Sequence, residues 1–310
     1  MKASKIIVLI IGLFITLSIQ AQQTPQTTFF NDSRAFWNPA YTGVDQQLAF
    51  NTFVRQQWLG FGVNAPRLIN LDFQYPFVDY NMAASGAIHY DQTGPVSKRG
   101  PVLNYAYQLK DLGRREGQLS LGVSAGAQQY VFNPSNEVLN QEGDPSLTGG
   151  SKSAFFSSIG GGFYYINSTE EYRNNTNFFL GGSFLQGYET NVLIDSINQK
   201  RVNHLILDLG SKIYGNDYLV QPSISINLSA PEIINVLAGV TFEMRDQFWA
   251  GVGYSSIQEF TIQGGYILDE VAGRDTRLKI GALANIGLGE RIENFGPGME
   301  LFVRYELDMD

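Results

Sequence analysis

Leu119-Ser-Leu-Gly-Val-Ser-Ala-Gly-Ala-Gln128 alternates without a break. Leu119, Leu121, Val123, Ala125 and Ala127 share one parity, and Ser120, Gly122, Ser124, Gly126 and Gln128 share the other. Successive side chains of a strand point to opposite faces, so this period gives one apolar and one polar face. The composition of the polar face decides the fold. A solvated surface carries Lys and Glu. Here the face carries Gly, Ser and Gln, as the interior of a barrel would.

The same alternation recurs on both sides of this stretch. Ile69, Leu71, Phe73 and Tyr75 are interleaved with Asn70, Asp72 and Gln74. Leu103, Tyr105, Tyr107 and Leu109 are interleaved with Asn104, Ala106 and Gln108. Leu205, Leu207 and Leu209 flank Ile206 and Asp208, and Leu301, Val303, Tyr305 and Leu307 flank Phe302, Arg304 and Glu306. Counting such segments predicts an all-β chain of about 14 antiparallel strands, the even number usual for single-chain outer-membrane barrels. Arg55, Asp72, Asp208, Glu243, Lys279 and Arg304 all fall on the polar parity. A cation on the lipid face at mid-membrane costs roughly 2–4 kcal/mol, so these charges are expected to face the lumen. Aromatic pairs near strand ends (Trp58 and Phe61, Tyr75 and Phe77, Tyr164 and Tyr165, Phe248 and Trp249) are expected in the interfacial girdles.

The composition agrees. The chain has 33 Gly, 21 Phe and 16 Tyr in 310 residues, with only 16% charged residues. Aromatic residues favour strands. Beyond residue 21 no apolar run is long enough for a membrane-crossing helix, so contact with a bilayer requires a closed barrel with no unpaired edge. Residues 1–21 read as a cleaved signal peptide. Lys2 and Lys5 precede the apolar run Ile6 to Ile19, and Ala21 is the small residue at the cleavage point. The run is short for a span, which favours cleavage over an uncleaved anchor. The formal charge of −8 becomes −10 when Lys2 and Lys5 are removed, and so acidic a chain disfavours a nucleic-acid partner. The absence of cysteine excludes a lipobox, a disulfide and a thiolate metal site.

One stretch stands apart from the alternation. Asn38-Pro-Ala-Tyr-Thr-Gly43 is followed by Arg55-Gln-Gln57-Trp58-Leu-Gly60-Phe61 and then by Ala65-Pro66. Pro39 fixes its own φ and pushes Asn38 toward extended backbone, and Gly43 permits a turn. This order resembles the N-terminal signature of the PorP/SprF family, outer-membrane proteins of the type IX secretion system of Bacteroidota. His89-Tyr-Asp91 with Gly94 is a second match. The resemblance implies a component of the secretion and gliding machinery in the cell outer membrane. It would help to export large surface adhesins, or to anchor them through their C-terminal domains. It also implies contact with the periplasmic ring and its peptidoglycan-linked partners.

Residues 22–45 are expected as an N-terminal segment ahead of a barrel at 46–310, on the periplasmic side or folded into the lumen. Asn38, Pro39, Tyr41, Gly43, Arg55, Gln57, Trp58 and Pro66 are the candidates for an ordered plug or a partner-docking surface. A turn that merely starts the barrel is the plain alternative.

Other chemistry is sparse, and no enzyme, cofactor or metal is expected. His89 and His204 sit in different predicted strands without metal-ligand spacing. Asp144, Glu170, Glu171 and Asp195 lack the carboxylate density of a calcium loop. Gly160-Gly-Gly162 lies within a strand pattern and precedes no helix, so close clearance explains it better than a phosphate cradle. Two other functions remain open: an outer-membrane diffusion channel or hydrophobic-solute transporter, and a secreted soluble β-sandwich.

Overall fold

The structure is a computed structural model that describes residues 31–133, 150–169, 175–185, 191–194, 197–200, 203–229, 233–245, 247–269, 271, 276–288 and 296–308. The expected signal peptide, residues 22–30, and Asp144, Glu170, Glu171 and Asp195 lie outside the described residues.

The strands in chain order are β1 (Leu48–Gln56), β2 (Arg67–Phe77), β3 (Met82–Thr93), β4 (Val96–Leu112), β5 (Gly117–Phe132), β6 (Lys152–Ile166), β7 (Thr176–Leu185), β8 (Asn191–Ile194), β9 (Ile197–Lys200), β10 (His204–Tyr214), β11 (Tyr218–Ser229), β12 (Ile233–Met244), β13 (Phe248–Ser255), β14 (Glu259–Asp269), β15 (Thr276–Gly287) and β16 (Gly298–Leu307). β8 and β9 form a separate two-stranded hairpin. The others make one closed antiparallel barrel of 14 strands, each paired with its neighbour in sequence, with β7 joined to β10. β1 closes the ring against β16, from Leu48 opposite Leu307 to Gln56 opposite Met299. Closure leaves no open edge, the condition a lipid-facing sheet must meet.

The two parities separate as the alternation requires. Leu71, Ile88, Leu103, Val123, Ile262 and Leu301 are exposed on the outer wall. Asn51, Asn70, Gln74, Ser120, Asp208 and Arg304 are buried inside. Outer-membrane barrels carry short turns at the periplasmic end and longer loops outside. The tight turns Val78–Tyr80 and Gly113–Arg115 therefore mark the periplasmic end. The strand ends Phe132 and Lys152, and Leu185 and His204, therefore lie at the outer end.

Two of the expected girdle aromatics are inside instead. Trp249 and Tyr164 are each 1% exposed. Trp249 packs with Phe53, Leu68, Ile267, Leu283 and Phe302, and its indole N–H donates to the Ile280 carbonyl at 3.2 Å. Their parity explains the difference. In β13 the outward residues are Phe248, Val252 and Tyr254, which turns Trp249 inward. The lumen is therefore not uniformly polar. It has an apolar core of its own, and that core receives the N-terminal segment.

Candidate functional site

The described segment starts near the periplasmic end, where Asn31 meets Thr241 and Asp32 meets Lys279, rises into the lumen through α1 (Arg34–Trp37), turns, and descends to β1. Asn38 ends the helix with extended backbone (φ −136°, ψ 108°), as a residue before proline must. Pro39 opens a 3-10 turn, Pro39–Tyr41, and the Asn38 side chain caps it by accepting from the Ala40 N–H at 3.0 Å. Gly43 then takes φ +67°, and a Cβ there would lie 2.3 Å from the Ala83 side chain. Both constraints require glycine.

Contacts of this segment run round the ring. Asn38 Nδ2 donates to the Phe163 carbonyl of β6 at 2.9 Å, and Ser183 of β7 donates to the Trp37 carbonyl at 2.6 Å. Gln108 of β4 donates to the Gly43 carbonyl at 2.8 Å, and the Gly43 N–H donates to Gln74 of β2 at 3.3 Å. Thr42 meets Ser85 of β3 at 3.3 Å. On the opposite wall, Lys279 of β15 pairs with Asp32 at 2.7 Å, and Arg304 of β16 pairs with Asp45 at 2.9 Å. A segment bonded to opposite walls crosses the axis between them. Two wall glycines make room for it. A Cβ on Gly122 would sit 2.3 Å from the Ala40 nitrogen, and one on Gly162 would sit 2.2 Å from Asn38 Oδ1. The glycine run of β6 thus gives close clearance.

Several luminal charges are matched by this segment. The Arg34 guanidinium is 2% exposed and pairs with Asp208 at 2.9 Å. It also donates to Asn31 at 2.8 Å and lies 4.2 Å from the centre of the Phe179 ring. With the Gln221 amide oxygen turned toward it, both terminal nitrogens are satisfied, at 2.8 and 3.0 Å. Burial disfavours this charge, but Asp208, Tyr164 and Tyr41 outweigh it, so Arg34 holds its proton more tightly than an ordinary arginine. The Tyr41 hydroxyl donates to Asp45 at 3.2 Å, and burial together with the Asp45 charge pushes its pKa up. Burial alone would raise the Asp45 carboxyl, yet Lys212 and Arg304 hold it below the ordinary carboxylate range. At the same end Glu243 bridges Arg277 and Lys279.

The candidate residues fall in two places. Asn38, Pro39, Tyr41 and Gly43 belong to the luminal segment. Gln57, Trp58 and Pro66 lie at the outer end of β1, where the Gln57 N–H donates to the Pro66 carbonyl at 2.9 Å and Trp58 takes φ +53°. Trp58 stands 5.9 Å from the Phe61 ring in a T-shaped arrangement. Arg55 is buried in the wall between the two places, opposite Glu300 in register. Sequence reasoning did not single out Asp32, Arg34, Phe36, Trp37 or Asp45. Arg34 and Asp45 answer charges on other strands, Asp208, Lys212 and Arg304, and no local pattern in the sequence announces those pairs. Among the described residues, no group of three or more His, Asp or Glu side chains is placed to hold a metal ion.

A closed barrel with an apolar outer band and its own N-terminal segment across the lumen defines an outer-membrane β-barrel with an occupied interior. The chain belongs to the family described as type IX secretion system membrane protein PorP/SprF, which it matches over residues 19–305. No curated protein matches it in sequence. Among solved structures it is similar to the CymD monoaromatic hydrocarbon channel, at 12% identity and a TM-score of 0.53, covering 89% of this chain and 92% of that one. It is also similar to the Pseudomonas putida toluene transporter TodX, at 13% identity and a TM-score of 0.47, with 90% and 94% covered. A Pseudomonas aeruginosa FadL homologue gives 9% identity and a TM-score of 0.47, with 90% and 94% covered. At these identities the likeness concerns the fold alone.

Proposed function

We propose that this type IX secretion component works by binding, not catalysis, and helps to export large surface adhesins or to anchor them through their C-terminal domains. In this reading its periplasmic end contacts the secretion ring and its peptidoglycan-linked partners, and gliding motility depends on it where its cargo is a motility adhesin. The observation that carries the reading is the segment 31–46, bonded to opposite walls of the barrel. A barrel crossed by its own chain suits an anchor better than a conduit. The competing reading, a diffusion channel or hydrophobic-solute transporter, requires a path along the axis that this segment obstructs.

The test is a pull-down of the tagged protein from detergent-solubilised outer membranes of the native host, followed by mass spectrometry. Recovery of a very large surface protein or of periplasmic ring components supports the proposal. Recovery of the barrel alone, folded and uncomplexed, contradicts it.

A further inference from the structure

Between the luminal segment and the wall formed by β6, β7 and β10 lies a cavity of about 10 Å³. That is roughly the space of a single water molecule. Tyr164 of β6 and Asp208 of β10 both stand opposite Gly181 of β7 in strand register, one on each side of it. Gly181 has no side chain to fill the gap between them. Trp37 borders the same space from the segment side, held there by the Ser183 hydroxyl on its carbonyl at 2.6 Å.

Most polar side chains on this lining are already engaged. The Asn38 amide bonds to the Phe163 carbonyl and the Ala40 N–H. The Tyr41 hydroxyl donates to Asp45, and Arg34 donates to Asp208 Oδ2 at 2.9 Å. Three atoms of the lining residues find no partner among the described residues: the Tyr164 hydroxyl, Asp208 Oδ1 and Trp37 Nε1. Their residues are 1%, 5% and 6% exposed. A buried polar atom left unsatisfied costs about 1–3 kcal/mol, and such atoms are as a rule satisfied by protein or ordered water. The three differ in kind. Asp208 Oδ1 only accepts, the Trp37 N–H only donates, and the Tyr164 hydroxyl does either.

The geometry points to a binding site for one ordered water that ties the segment to this wall. The water donates to Asp208 Oδ1, shares a hydrogen bond with the Tyr164 hydroxyl, and keeps a lone pair for the Trp37 N–H. Buried waters typically make about three such bonds. A cation here would meet the Arg34 guanidinium beside Asp208, an anion would meet the Asp208 carboxylate, and an organic molecule exceeds the space. The segment is thus joined to this wall partly through water, whereas Lys279 and Arg304 hold it directly on the opposite one. This site stands independently of cargo binding.

The test is a crystal structure of the full-length protein at a resolution that shows ordered water, paired with the variant Tyr164→Phe. The structure is expected to show one density peak within about 3.2 Å of both the Tyr164 hydroxyl and the Asp208 carboxylate. Tyr164→Phe keeps the ring against Tyr41 and Phe179 and removes only the hydroxyl. Loss of a water-bonded hydroxyl is expected to speed protease cleavage within residues 31–46 about fivefold, because cleavage follows the open fraction of the segment. A dry cavity predicts the reverse: deleting an unsatisfied buried hydroxyl leaves cleavage unchanged or slower. Folding of the variant is checked by its heat-dependent gel mobility. If Tyr164→Phe does not fold, the wild-type structure alone decides. Absence of the peak, a direct Tyr164–Asp208 hydrogen bond in its place, or unchanged or slower cleavage in a folded Tyr164→Phe would overturn the proposal.

Discussion

Asp45 and Arg304 meet at 2.9 Å where the N-terminal segment leaves the lumen and becomes β1. They are 259 positions apart in sequence. Arg304 also reaches the Asp32 carbonyl at 3.3 Å, so one wall arginine holds both the entry and the exit of the segment. Hydrogen bonds to charged groups contribute about 1.5–3 kcal/mol. Arg304→Gln should therefore loosen the seating of the segment by that order. The expected readout is faster protease cleavage within residues 31–46 on isolated outer membranes, with the barrel itself still resistant to heat and SDS. Asp45→Asn should show a smaller effect, because the Asp32 contact remains.

The pH dependence follows from the same carboxylate. Asp45 titrates below an ordinary carboxylate because the Lys212 and Arg304 charges outweigh its burial. A depressed folded pKa adds stability above the unfolded value, and that stability is lost as pH falls through the folded value. Protection of the segment should be flat from neutral pH down to the ordinary carboxylate range, about pH 4, and should fall below it. Limited acid proteolysis across that range measures it, and Asp45→Asn should flatten part of the drop.

Gly122 is the wall position where a side chain would strike the segment backbone directly. Gly122→Leu should leave strand pairing intact and displace the Pro39–Tyr41 turn. Gly86 provides the control. Its added Cβ would meet only Leu103, at 3.7 Å, so Gly86→Ala should leave protease protection of the segment as in wild type.

Leu103 is 65% exposed on the outer wall, in a strand whose inward neighbour Asn104 bonds to Ser85. Leu103→Arg should destabilise the inserted barrel by about 2–4 kcal/mol, measured as a shift in urea unfolding in lipid vesicles. An unchanged midpoint would place Leu103 outside the hydrocarbon band.

These predictions separate what the sequence shows directly from what it hides. Alternation is a local property, and Leu119 to Gln128 displays both faces of β5 within one strand. The luminal location of Arg55, Asp72, Asp208, Glu243, Lys279 and Arg304 follows from that parity and from the cost of charge in lipid. Their partners do not follow. Arg34 and Asp208 are 174 positions apart, and no local pattern ties them together. Nor does proximity to a strand end reveal direction. Trp249 and Tyr164 resembled girdle residues, and only the parity of Phe248, Val252 and Tyr254 turns Trp249 inward. The turn at Asn38-Pro39 was legible from pre-proline and capping chemistry. Its place in the lumen depends on Gly122 and Gly162, which the sequence presents only as glycines in a strand.

The most direct test of the account is single-channel recording in planar bilayers, comparing the full protein with a variant lacking residues 22–46. The segment across the lumen predicts no sustained conductance from the full protein and a steady open level from the variant, folded by its gel mobility. Steady conductance from the full protein would contradict the occupied lumen and favour the channel reading.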